Sequence, residues 1–141
     1  MFAHKLACAV LFFTCVGNAP AGDLVIIVSA KNPVGPLRAE QVADIFLAQS
    51  GRFPNGANAV AIDQAIGTSV RDDFYQRVAS KSPALVKTYW TKMMFTGRAN
   101  PPKEAAGNEA VRKLIAGNLE LIGYIDRDAL DDSVKAVLVL H

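Results

Sequence analysis

The stretch AVAIDQAIGTSVRDDFYQRV, residues 59–78, contains the pattern that decides the fold. Its first residues, Ala59–Ile62, form a short apolar run that predicts a strand. A helix is predicted from Thr68 to Ala79, because apolar residues recur there at helical spacing: Val70, Phe74 and Val78. A strand that leads directly into a helix is the unit from which α/β domains are built.

Gly67, Thr68 and Ser69 form the turn between this strand and this helix. The first amide groups of a helix have no partner within the helix, and the positive end of the helix dipole lies behind them. Phosphate, sulfate and carboxylate groups bind at such helix ends without a metal or cofactor. Two interpretations stay open: an oxyanion site at these three residues, or a plain helix N-terminus that contacts water.

The first 21 residues have the pattern of a secretory signal peptide. Lys5 precedes an apolar run, Leu6–Val16, which is shorter than the roughly 20 residues that a membrane-spanning helix needs. Ala19-Pro20-Ala21 then places small residues at the positions that a signal peptidase recognises, so cleavage is predicted before Gly22. We therefore expect a periplasmic protein with no membrane insertion after cleavage.

Cleavage after residue 21 would remove both cysteines and one of the two histidines, the residue types most often used in catalysis and metal binding. Cys8, Cys15 and His4 leave with the signal peptide, and His141 is the only histidine that remains. Zinc sites, Cys–His pairs and Ser–His–Asp triads then lack their components. The sequence therefore predicts a non-enzyme with no catalytic residues, no metal site and no cofactor. Its formal net charge of +2 is too small to indicate nucleic-acid binding.

The rest of the chain alternates strand and helix patterns, which predicts a single α/β domain over residues 22–141. Leu24–Val28 is a continuous apolar run, as in a strand that is covered on both faces. The other predicted elements are helices over residues 38–48, from the cap Ser82-Pro83 and from the cap Asn108, and strands over residues 121–125 and 134–140.

Three segments have a familiar order and spacing: Asn32-Pro33-Val34 with the helix that ends Asp44-Ile45-Phe46-Leu47, the turn at Gly67, and Ile122-Gly123-Tyr124-Ile125. Together they resemble the periplasmic substrate-binding proteins of phosphate ABC transporters. The resemblance implies one lobe of a periplasmic-binding-protein-like fold, with a mainly parallel central sheet flanked by helices. It also implies phosphate or a similar oxyanion as ligand and an ABC permease as partner. Because this family has two lobes, a second lobe or a homodimer partner would complete the cleft.

The resemblance also implies that residues 64–74 of this sequence correspond to the family's ligand-binding loop. With Arg71 and Phe74 as anchors, Gly67 matches the family's first glycine and Thr68 matches its serine; a serine replaces the next glycine. Gln64 stands where the family has an arginine that pairs with the ligand. A guanidinium binds phosphate through two charge-assisted hydrogen bonds, whereas a glutamine amide offers only neutral ones.

Ser29, Ser69 and Arg71 complete the predicted ligand-binding set. Ser29 ends the first strand, where ligands of open α/β sheets bind, and would meet the same anion as Thr68; the alternative is a serine that merely ends a strand. Ser69 would donate its hydroxyl hydrogen. Arg71 would supply positive charge, unless it is a solvated residue of the helix surface.

Two function classes follow from these residues. The first is an exported solute-binding-like protein that binds phosphate or a similar oxyanion near Gly67. The second is a non-enzymatic partner-binding or assembly module that keeps the lobe fold and has lost high-affinity anion binding. Gln64 and Ala65 favour the second class, because the resemblance places an arginine and an acidic residue at those positions.

A later part of the chain has apolar and basic residues whose role stays open. Tyr89, Trp90 and Phe95 are predicted to lie in the core. The loop over residues 98–103 contains Arg98, Lys103 and two prolines. It is predicted to be either a contact surface or an ordinary solvated loop.

Overall fold

The structure, a computed structural model, describes residues 22–141; the predicted signal peptide, residues 1–21, lies outside the described residues. Within them, strands and helices alternate through most of the chain, so the predicted α/β class is confirmed. The strands are β1 (Leu24–Ser29), β2 (Val60–Gln64), β3 (Lys103–Ala105), β4 (Leu121–Asp126) and β5 (Val134–Leu140). The helices are α1 (Ala39–Phe46), α2 (Ser69–Ala79), α3 (Pro83–Phe95) and α4 (Asn108–Ala116).

The five strands of this region form one sheet in the order β3-β2-β4-β1-β5. β2 is parallel to β3 and to β4, whereas β1 is antiparallel to β4 and to β5. Four strands therefore point the same way, and β1 runs against them. This arrangement places the carboxyl ends of β2, β3 and β4 at one end of the sheet and the carboxyl end of β1 at the other.

Side chains of the strands alternate between the two faces of the sheet, and each face has its own apolar core. Ala61 of β2 packs on the face that α1, α2 and α3 cover. Ile62 packs on the opposite face, beneath α4. The same alternation sends the side chains of Asp63 and Gln64, the last residues of β2, to opposite faces. β1 is buried along its whole length, as its continuous apolar run predicts.

Aromatic rings hold α1 and α2 against the sheet. Phe74 of α2 stacks on Tyr124 of β4, with ring centres 3.9 Å apart and planes within 4° of parallel. Phe46 of α1 packs against Phe74 at 4.7 Å. Such pairs contribute about 0.5–1.5 kcal/mol each beyond the burial of their area. They fix the position of α2 relative to the end of β2.

Some element boundaries differ from the sequence-based prediction. α1 ends at Phe46 rather than at residue 48, because Ala48 has a left-handed backbone with φ 58°. β2 continues past Ile62 to Gln64. The N-cap of α4 is Gly107, with φ 97°, and not Asn108, which is the first residue of the helix.

α3 is a helix of 13 residues that buries few of them. Val86 and Trp90 are its buried residues, so the core prediction is right for Trp90. It is wrong for Phe95, which is 90% exposed. None of the helices formed by residues 22–141 combines the length and the hydrophobicity that a membrane span requires.

Candidate functional site

The turn between β2 and α2 has a glycine at the position that requires one. Gly67 has φ +86°, and a Cβ there would meet no atom within 4 Å. The backbone conformation, and not a lack of space, therefore favours glycine. The Thr68 hydroxyl donates to the carbonyl oxygen of Ala65 at 2.7 Å, which closes the turn.

The first turn of α2 presents free amide groups. Thr68 is the N-cap, and its side chain accepts no hydrogen bond from the helix. Among the described residues, the amides of Ser69, Val70 and Arg71 have no hydrogen-bond acceptor. They lie at the positive end of a helix of 11 residues. This end of α2 can donate hydrogen bonds to an anion.

The side chain of Arg71 is already paired within the chain. It is only 8% exposed, so it is not a solvated surface residue. One terminal nitrogen of its guanidinium donates to the Gln64 carbonyl oxygen at 3.1 Å and lies 3.2 Å from Oδ2 of Asp63. The same nitrogen lies 4.0 Å from Glu104, whose carboxylate also accepts the Ile66 amide at 2.9 Å. Two carboxylates of the chain therefore neutralise its charge.

Asp63 is the centre of a buried polar cluster. Its side chain has no solvent exposure and accepts hydrogen bonds from the hydroxyls of Tyr75, at 2.6 Å, and Tyr124. Burial raises the pKa of Asp63, and the hydrogen bonds from Tyr124 and Tyr75 and the charge of Arg71 oppose that rise. Burial and the neighbouring Asp63 charge raise the pKa of both tyrosine hydroxyls, which therefore stay protonated as donors. Partners from the chain therefore occupy both oxygens of the Asp63 carboxylate.

The side chain of Gln64 lies on the other face of the sheet from α2. Its Nε2 donates to Oδ1 of Asn108 and to the carbonyl oxygen of Tyr124, both at 3.0 Å. Nδ2 of Asn108 in turn donates to Asp126 at 2.8 Å. Gln64 thus ties β2 to β4 and to the start of α4. The structure does not bring its side chain to the turn at Gly67.

Ser29 lies at the opposite end of the sheet from Gly67, because β1 is antiparallel to β4. Its hydroxyl donates to the carbonyl oxygen of Ala116 at 3.3 Å, and its oxygen accepts the Lys31 amide at 3.3 Å. Ser29 therefore cannot contact the same anion as Thr68. The expectation that it would do so assumed that β1 runs in the same direction as β2.

The fold has counterparts among solved structures. A protein from Clostridium perfringens, described as a phosphate ABC transporter substrate-binding protein with bound phosphate, is 25% identical and matches with a TM-score of 0.66 over 82% of this chain and 45% of its own. An ABC-type phosphate transport receptor from Vibrio cholerae is 20% identical, with a TM-score of 0.64 over 82% of this chain and 46% of its own. PstS from Borrelia burgdorferi is 13% identical, with a TM-score of 0.58 over 84% and 47%.

The fold is that of the phosphate ABC transporter substrate-binding proteins. The chain spans less than half the length of each of these three proteins, which agrees with a single-lobe form. The named neighbours are binding proteins of transport systems and not enzymes. No protein-family model and no curated protein matches the chain.

Four of the predicted ligand residues meet at the start of α2 in this substrate-binding-protein fold: Gly67, Thr68, Ser69 and Arg71. Two others, Ser29 and Gln64, do not. Sequence reasoning missed Asp63 and Glu104, the carboxylates that neutralise Arg71. A buried strand that ends in an acidic residue is a signal for Asp63, since such a residue needs a partner. Nothing in the sequence places Glu104, which comes from an edge strand 33 residues beyond Arg71, beside the turn.

Proposed function

We propose that this chain is an exported solute-binding-like protein that binds phosphate or a similar oxyanion at the N-terminus of α2, in ABC-type phosphate uptake. One observation carries the proposal: α2 has unpaired amides at Ser69, Val70 and Arg71, in a fold whose Clostridium perfringens counterpart is described with bound phosphate. Export would follow from cleavage of the signal peptide over residues 1–21.

The anion would be held mainly by neutral donors. The three amides and the Ser69 hydroxyl would donate to phosphate oxygens, and the dipole of α2 would add a partial positive charge. The Thr68 hydroxyl already donates its hydrogen to the carbonyl oxygen of Ala65, so it cannot also donate to the anion. Arg71 would contribute little, because Asp63 and Glu104 neutralise its charge.

Affinity should be low for two reasons. The site has no cationic side chain that is free of carboxylate partners, and a single lobe leaves one side of the anion in water. We expect a Kd on the order of 1 mM, which corresponds to about −4 kcal/mol. A second lobe, a homodimer partner or an ABC permease that covered this end of α2 would raise the affinity by excluding water.

The experiment is an NMR titration of residues 22–141 with phosphate at constant ionic strength, with chloride as reference. Saturable shifts are expected at the amides of Ser69, Val70 and Arg71. Ser69→Pro deletes one of these amides, and proline is tolerated at the first position of a helix. The backbone before it is extended in Thr68, with ψ 144°, as proline requires.

Ala39→Pro is the matched control, because Ala39 is the first residue of α1 and follows an extended N-cap, Arg38. A hydrogen bond to a charged group contributes about 1.5–3 kcal/mol, so Ser69→Pro should weaken phosphate binding at least tenfold. Ala39→Pro should leave it unchanged. Shifts that persist in Ser69→Pro would place the site elsewhere, and no shifts at 20 mM phosphate would refute the proposal.

A second candidate function is the partner-binding module without high-affinity anion binding. The observation that favours it is the internal use of both expected ligand side chains: Gln64 bonds to Asn108, and Arg71 pairs with Asp63. The same titration separates the two functions, since this module would show no saturable response to phosphate.

A further inference from the structure

A groove of about 680 Å³ begins at the turn that leads into α2. Ile66 and Gly67 of that turn and Arg71 of the first helical turn form one end of it. α3 and the loop before β3 form the rest, and we call the whole concavity the α2–α3 groove. Its volume lies within the range of about 300–1,000 Å³ that small-molecule sites have. A single phosphate ion would fill only a small part of it.

Apolar side chains form most of the groove wall beyond the start of α2. Trp90 and Val86 of α3 are buried, whereas Met94 is 49% exposed and Ile66 is 75% exposed. Exposed apolar side chains around a concavity mark an interaction site. A ligand that covered them would gain the free energy of removing apolar surface from water, which an inorganic ion cannot gain.

The charged side chains around the groove balance each other. Its two cations are Arg71 and Lys87, and its two carboxylates are Asp72 and Glu104. Arg71 is moreover paired with Asp63. The two carboxylates would repel a ligand with negative charge spread along its length, and the two cations would only offset that repulsion. The walls therefore favour a ligand with one compact anionic group, at the α2 end, and an uncharged remainder.

Trp90 contributes an unpaired hydrogen-bond donor. The residue is only 4% exposed, and its buried Nε1 has no acceptor among residues 22–141. Burial and the charge of Asp63 raise the pKa of the Tyr75 hydroxyl, and the Trp90 N–H opposes that rise. The indole nitrogen is therefore on the side of Tyr75, which also lines the groove. A buried donor without an acceptor costs free energy, and an acceptor atom of a ligand would remove that cost.

We propose that the ligand of this site is an organic phosphate or phosphonate whose apolar, aromatic-sized body carries a hydrogen-bond acceptor. The inference rests on the proposed oxyanion function and names its ligand class. The phosphoryl oxygens accept hydrogen bonds from the amides of Ser69, Val70 and Arg71. The body lies in the α2–α3 groove against Ile66 and Met94, and its acceptor faces the Trp90 N–H.

The experiment is an NMR titration of residues 22–141 with three matched probes. 4-Methoxyphenylphosphonate has the head and the body, methylphosphonate has the head alone, and anisole has the body alone. The Trp90 indole N–H is a specific reporter, because it is the only tryptophan of the chain. The first probe should shift both the α2 amides and the indole N–H and should bind at least tenfold more tightly than methylphosphonate. Methylphosphonate should shift the α2 amides alone.

Variants of the groove wall test where the body lies. Met94→Ser removes apolar surface at a half-exposed position, so it should weaken binding of 4-methoxyphenylphosphonate at least threefold and leave methylphosphonate unchanged. Leu85→Ser is the matched control: it lies on the same helix, is 53% exposed and is not part of the groove wall. It should leave both affinities unchanged. Trp90→Phe keeps an aromatic wall without the donor and should weaken only the first probe; should it not fold, Met94→Ser gives the independent result.

Failure of this inference is distinguishable from failure of oxyanion binding. Equal affinities for the two phosphonates, with shifts of the α2 amides by both, would overturn the ligand class and leave oxyanion binding intact. An indole shift without amide shifts, or binding of anisole as tight as that of 4-methoxyphenylphosphonate, would separate the groove from the anion site and would also overturn the inference. Ser69→Pro should weaken both phosphonates at least tenfold. The absence of α2 amide shifts with every anion would refute both proposals.

Discussion

The buried carboxylate of Asp63 reduces the ability of Arg71 to bind an anion, because it is already paired with the guanidinium. The guanidinium lies at the start of α2, beside amides that an anion could use, yet its nearest anion is Asp63 at 3.2 Å. Both side chains are buried, so their attraction is screened less than that of a surface pair. A phosphate would have to compete with a carboxylate that is already in place and already desolvated.

The buried pair should matter for stability. Asp63→Asn removes the buried charge opposite Arg71 and leaves that guanidinium with only the partly exposed Glu104, 4.0 Å away, as counter-ion. Removal of one partner of a buried ion pair costs about 3–5 kcal/mol. Urea unfolding should therefore show a loss of this size, while Asp131→Asn, at an exposed pair with Arg112, should change little. Equal stability of the two variants would mean that the Asp63–Arg71 pair contributes nothing.

Glu104 offers a milder way to release the charge of Arg71. Its carboxylate is 42% exposed and lies 4.0 Å from the guanidinium. Glu104→Gln keeps an acceptor for the Ile66 amide and removes one negative charge. Phosphate affinity should then rise several-fold, up to about tenfold, or 1.4 kcal/mol. Glu120→Gln makes the same charge change at an exposed position of the turn before β4 and should leave the NMR titration unchanged.

At the scale of elements, α4 packs unusually closely on β4. A Cβ at Gly123 would lie 2.8 Å from Cγ1 of Val111 and 3.2 Å from Cδ1 of Ile115. Gly123 therefore permits the helix to approach the sheet, and its absence of a side chain is a packing requirement. The helix in turn places Asn108 within reach of Gln64 at the end of β2.

Gly123→Ala should destabilise the domain by about 1–3 kcal/mol, the usual range for an overpacked core. Gly117→Ala is the control, because its Cβ would meet only backbone oxygens at 3.8 Å. Val111→Ala in the Gly123→Ala background should cost less than Val111→Ala alone, with a coupling of about 0.5–3 kcal/mol. Additive effects in urea unfolding would show that the two sites do not contact each other.

The elements themselves were largely predictable, and the exceptions have physical causes. β1, α2 and β4 carry strong apolar patterns, and a pattern of that kind does not depend on distant residues. β3 is three residues long, exposed or half-buried, and exists because it pairs with β2, so no local signal marks it. The direction of β1 was not predictable, since a continuous apolar run looks the same in a parallel and in an antiparallel strand. That direction is what separates Ser29 from Gly67.

The candidate site was predictable only in part for a related reason. The turn at Gly67 is local, because glycine, hydroxyl residues and the apolar spacing of α2 occupy consecutive positions. The partners of Asp63 are remote: Tyr75 is 12 residues away and Tyr124 is 61 residues away. Whether Arg71 faces a ligand or a carboxylate of the chain depends on those tertiary contacts.

At the scale of the whole molecule, the chain spans less than half the length of the substrate-binding proteins that share its fold. A ligand on one exposed lobe stabilises the folded state only by mass action. With a Kd of about 1 mM, 10 mM phosphate should add about 1.4 kcal/mol to the free energy of unfolding. The measurement is urea unfolding of residues 22–141 in phosphate and in chloride at equal ionic strength, with Ser69→Pro as the variant that should lose the difference.

The size of that difference also reports whether the lobe acts alone. A site covered by a second copy would bind phosphate far more tightly, and micromolar affinity would add more than about 5 kcal/mol under the same conditions. The stabilisation would then grow with protein concentration, because the covering copy must associate first. A small, concentration-independent gain is what an uncovered helix terminus with neutral donors should produce, and no gain in phosphate would contradict oxyanion binding at this end of α2.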